Sequence, residues 1–174
     1  MIKINKSKTA AVSAILSTAA ILLGYVEFMI PVVPPIAGIK LGLGNIAVLF
    51  AIRLFKNKSV PFCIMLTKVL VCAMLFSGFG GLPYSLAGGI CSFAAMVLLC
   101  RFDKLSSAGI SAAAGAVHMA AQLIAAAIIT STVSVMSLLP ILVVAGTVTG
   151  FINGIIVNMI ERNAGKYLQQ YVNL

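Results

Sequence analysis

Residues 27–45 read EFMIPVVPPIAGIKLGLGN and set three groups able to do chemistry close together: the Glu27 carboxylate, the Lys40 ammonium and the Asn45 carboxamide. Glu27 is one of three acidic residues in the chain and stands near the end of an apolar run, where a lone charge is expensive unless it is paired or used. Lys40 is its nearest possible partner. Pro31, Pro34 and Pro35 remove amide donors and push the residues before them toward extended geometry, so the segment between the two charges is not plain helix. Irregular backbone at membrane depth is tolerated where protein covers it or where it lines a cavity. The stretch therefore reads as a lidded binding site, residues 30–39 forming the lid, with a structural ion pair as the alternative. His118 and Gln122, four residues apart on one helical face, add an imidazole and a second carboxamide, and Tyr84 adds a phenol at the start of another apolar run. Such groups suit binding by hydrogen bonds and charge. No hydroxyl or thiol stands recognisably with a base and an acidic orienter, and no Cys or His spacing suits a metal, so neither catalysis nor a metal or cofactor is expected.

The elements that position these groups follow from composition. With 174 residues, 61% of them hydrophobic and 9% charged, and a mean hydropathy of +1.16, the chain is expected to be an all-α integral membrane protein of one domain. A hydrocarbon core about 30 Å thick needs a helix of about 20 mainly apolar residues. Segments 9–30, 39–55, 60–76, 82–100, 106–130 and 137–160 meet that need, which predicts a bundle of six transmembrane helices. Lys and Arg lie beside alternate ends of these spans, at Lys3, Lys6 and Lys8, Arg53, Lys56 and Lys58, Arg101 and Lys104, and Arg162 and Lys166. By the positive-inside rule both termini are cytoplasmic and the 27–40 loop faces outward. The net charge of +9 is thus a topology signal and not a nucleic-acid stripe. Depth along the helices then places Glu27, Lys40, Asn45, Tyr84, His118 and Gln122 between midplane and outer surface. Lys68 falls near the centre of the third span, where a structural role is preferred. Asn153 falls deeper, toward the cytoplasm. Gly146, Gly150 and Gly154 form a ridge that lets another backbone approach closely.

The segment at 27–31, the block GIKLGLGN at 38–45 and the FGGLPYS turn at 79–85 together resemble the Gx transporter family, often labelled heptaprenyl diphosphate synthase component I. That family is similar to the substrate-binding S components of energy-coupling factor (ECF) vitamin transporters. The resemblance implies a bacterial cytoplasmic membrane protein that captures a small, largely apolar or aromatic molecule from outside, with flavins and isoprenoid or quinone precursors as the class. It also implies partners, a coupling protein and an ATPase pair, with Ala10 and Ala14 of the first helix as docking positions. The alternative is a non-transporting scaffold for a quinone- or flavin-linked electron-transfer or isoprenoid enzyme. A synthase activity of the chain itself is not expected. Prenyl elongation needs clustered aspartates to hold divalent metal and diphosphate, and Asp103 is the only aspartate here.

Overall fold

The computed structural model describes residues 6–29, 42–102, 105–165, 167–168 and 170. Among these residues the secondary structure is helical, with no strand. Helix α1 covers Lys6–Met29, α2 Asn45–Leu54, α3 Ser59–Cys72, α4 Gly78–Leu99, α5 Ser107–Ile129 and α6 Leu139–Ile160. Short π-helical segments extend α3 over Ala73–Ser77 and α6 over Glu161–Gly165, and a 3-10 segment, Val133–Leu138, leads into α6. Five of the helices are long and apolar enough to cross a membrane, α3 reaching that length only with part of its π extension, to Phe76. The chain is thus a multi-pass helical membrane protein.

Helix α2 is different. Nine of its ten residues are buried, Arg53 being the other, and at ~1.5 Å per residue it covers about half the hydrocarbon thickness. A helix apolar on every side is stable where protein surrounds it, and α2 supplies much of the core, from Ile46 through Leu54. It begins at Asn45 because Gly42 has φ of 86°, which a right-handed helix does not admit, and Leu43 and Gly44 make the turn into it. The helix within the expected span 39–55 is correspondingly short.

The segment 79–85, expected as a turn, is helical. Helix α4 starts at Gly78 and carries Pro83 inside it. The reversal between α3 and α4 is concentrated at Gly78, with φ of 68° and ψ of 173°, directly after the π turn. A proline one turn further on costs the helix one early hydrogen bond and does not stop it.

Helices α5 and α6 make the most extensive packing in the bundle, and α4 lies on the other side of α5. The Gly146, Gly150 and Gly154 ridge meets Gly115, Ser111 and Ala108 of α5 in antiparallel order, backbone against backbone. Helix α1 packs on α3 and α2. At one end of the bundle Arg53 lies 3.7 Å from Glu161 and donates to the Leu105 carbonyl at 3.3 Å. Ser107 donates to the other Glu161 oxygen at 3.1 Å, tying α2, α5 and α6 together at that end.

Candidate functional site: a buried polar cavity

Glu27 lies in the last turn of α1 and is 5% exposed. Its Oε1 accepts a hydrogen bond from the Gly42 amide. The Gly42 carbonyl accepts in turn from the Asn45 amide at 2.9 Å and from Asn153 Nδ2 of α6 at 3.3 Å. One glycine thereby receives α1, the start of α2 and α6. Only glycine suits this place: the φ is positive, and a Cβ there would fall 2.9 Å from Asn45 Nδ2 and 3.6 Å from His118 Cδ2.

Lys68 of α3, also buried, donates from Nζ to Asn45 Oδ1 at 3.0 Å. On α5, Gln122 Nε2 and His118 Nε2 are 3.0 Å apart, one helical turn separating the residues. Glu27, Lys68, Ser85, His118 and Gln122 line one cavity with Gly24, Gly42, Val69 and Cys72. Its volume is about 20 Å³, the room that about one water needs. Four helices, α1, α3, α4 and α5, each contribute a polar side chain to it. In an apolar bundle this convergence concentrates the costs of burying polar groups in one place.

Of the residues singled out from sequence, Glu27, His118 and Gln122 are on the cavity wall. Asn45 reaches the site through its bond to Lys68. Tyr84 is half-buried and is not among the lining residues, whereas Ser85, the next residue, is. Lys40 and the 30–39 cover lie outside the described residues, so the Glu27–Lys40 pairing falls there too. Ala10 and Ala14 are exposed on α1, and Ala14 borders a second, more open groove of about 350 Å³ between α1 and α3. Three residues of the polar centre were not in the sequence-based set: Lys68, Ser85 and Asn153. Lys68 had a signal, a cation in mid-span. Ser85 shares with Tyr84 the outer start of the expected fourth span, and Asn153, expected deeper than the other polar groups, reaches the Gly42 carbonyl. Ser85 Oγ and Asn153 Oδ1 are buried without a hydrogen-bond partner among the described residues. Also among these residues, no group of three or more His, Cys, Asp or Glu is placed to hold a metal ion.

Fold and site together define a multi-pass helical membrane protein with a buried polar cavity drawn from several of its helices. Within that class, the chain belongs to the heptaprenyl diphosphate synthase component I family, which it matches over residues 16–160. Every residue of the cavity wall lies inside the matched stretch. No curated protein and no solved structure matches the chain.

Proposed function

We propose that this chain is the substrate-binding membrane subunit of an ECF-type uptake transporter in the bacterial cytoplasmic membrane. Its ligand would be a small, largely apolar or aromatic molecule of the flavin or isoprenoid and quinone precursor class. The observation that carries this reading is the cavity of Glu27, Lys68, Ser85, His118 and Gln122, buried among apolar helices. Ionisable residues inside a membrane bundle mark binding sites and pathways more often than they stabilise. Small-molecule sites also gather a few convergent polar groups inside apolar surroundings, and five polar side chains converge here.

Orientation supports capture from outside. Glu27 closes α1 and Gly42 precedes α2, while the Arg53–Glu161 pair sits where α2 and α6 end. With the basic end cytoplasmic, the cavity would lie on the outer side of the Arg53–Glu161 junction, both termini would be inside, and the chain would cross six times. At its present volume the cavity admits a ligand of the proposed class only when lining side chains move apart, so bound and free forms differ in shape. Lys40, near Gly42 in sequence, would attract an anionic or polarised part of the ligand, and Asn45 and Tyr84 would add hydrogen bonds. The chain binds and does not catalyse. Exposed Ala10 and Ala14 on α1 would give a coupling protein close access, and a separate ATPase pair would supply the energy.

The test is purification from native membranes followed by native mass spectrometry. A retained small molecule together with a co-purifying coupling protein and ATPases supports uptake. A synthase or flavoprotein partner without ATPases, and no retained molecule, would instead establish the scaffold. Labelling of a thiol introduced at position 36 from the outside of intact cells checks the orientation, and labelling only from the cytosol overturns it.

A further inference from the structure

We infer that the cavity recognises an uncharged hydrogen-bonding headgroup, a carbonyl or hydroxyl, through Ser85, and discriminates against a diphosphate. This rests on the binding reading above and names the chemistry of its ligand.

Ser85 is 6% exposed, lies on the cavity wall, and its Oγ has no hydrogen-bond partner among the described residues. Buried polar atoms in folded proteins nearly always find a partner, so an unmatched hydroxyl facing a hollow points to a group that completes it from within. A serine hydroxyl both donates and accepts, and it therefore matches a ligand carbonyl or a ligand hydroxyl equally well. The facing wall is close. One turn beyond Ser85, α4 approaches α5 at Gly88, where a Cβ would stand 2.6 Å from Gln122 Cγ and 2.9 Å from His118 Nδ1. A headgroup bonded to Ser85 thus lies beside the His118–Gln122 pair.

Charge decides against the diphosphate. Among the described lining residues Lys68 carries a formal positive charge and Glu27 a formal negative one, and the two cancel. A multiply charged anion entering this space would leave water for a site of no net charge and would meet a carboxylate that is itself buried. Lys40 would add one positive charge, against the two or more negative charges of a diphosphate. A neutral headgroup meets no such cost.

The full chain reconstituted in nanodiscs should be titrated with three probes: farnesol, farnesyl diphosphate, which carries the same tail, and menadione, a neutral quinone without a tail. Farnesol or menadione should bind at least about tenfold more tightly than farnesyl diphosphate. Ser85→Ala should weaken that neutral probe about five- to tenfold, the worth of one neutral hydrogen bond, with an unchanged melting temperature, and Ser85→Thr should restore it. Tighter binding of the diphosphate, or neutral-probe affinity untouched by Ser85→Ala, overturns the inference while leaving the protein a binder. If none of the probes binds saturably, the inference falls. If in addition no molecule is retained from native membranes, the binding reading falls with it.

Discussion

The α5–α6 seam gives the most quantitative test of the fold that builds the cavity, because α5 carries His118 and Gln122 and α6 carries Asn153. The perturbation is Gly150→Ala. An added Cβ would meet the Ser111 carbonyl group and the Ala112 α-carbon, the latter at 3.0 Å, and these are backbone atoms that no rotamer change removes. Carbon atoms prefer about 3.5 to 4.0 Å, so α6 must retreat by roughly 0.5 to 1 Å locally, a gap that forfeits a quarter to a half of each contact's dispersion energy. Overpacking of this kind costs about 1 to 3 kcal/mol. Against it stands a helix-propensity gain of about 1 kcal/mol for replacing glycine by alanine. Gly80→Ala on α4 isolates the clash, since nothing lies within 4 Å of a Cβ there and the propensity gain is common to both. The assay is a thermal melt in detergent followed by far-ultraviolet circular dichroism, the chain having no tryptophan to report by fluorescence. At about 2 to 4 °C per kcal/mol for a chain of this size, Gly150→Ala should melt about 2 to 12 °C below Gly80→Ala. Gly150→Val should fall further. Equal melting of the two alanine variants would refute backbone-to-backbone packing of α5 on α6.

Other outcomes follow from the same geometry. Lys68→Met and Asn45→Ala should be non-additive in melting experiments, with a coupling of about 1.5 to 3 kcal/mol from their buried charge-assisted bond, and additive effects would place the two side chains apart. Ser106→Ala should cost about 1 kcal/mol, because Ser106 Oγ caps α5 by accepting from the Gly109 amide at 3.2 Å; an unchanged melting temperature would remove the cap. Lys40→Ala should weaken ligand binding while leaving the protein extractable in detergent, and unchanged affinity would remove its proposed role. Glu161→Gln should cost less than about 1 kcal/mol by melting, since its ion pair with Arg53 is about one-third exposed at both partners, and a larger loss would mean a tighter junction than 3.7 Å implies.

Sequence alone determined the helical membrane class, because long apolar runs have one stable solution in a bilayer. It also located Glu27, His118 and Gln122 as costly groups at depth, and it named the glycine ridge of α6. Tertiary structure alone decided which face of each helix turns inward. In a soluble protein the apolar stripe answers that question, but here lipid and core are equally apolar and the stripe carries no direction. Adjacent residues on a helix point about 100° apart, so a choice between Tyr84 and Ser85 needs the packing of α4 on α5. The place of Lys68 likewise needs Asn45 brought opposite it by the Gly42 turn. That turn, the short buried α2 and the meeting of α1 with α6 at one glycine arise from contacts distant in sequence, which local spacing does not encode.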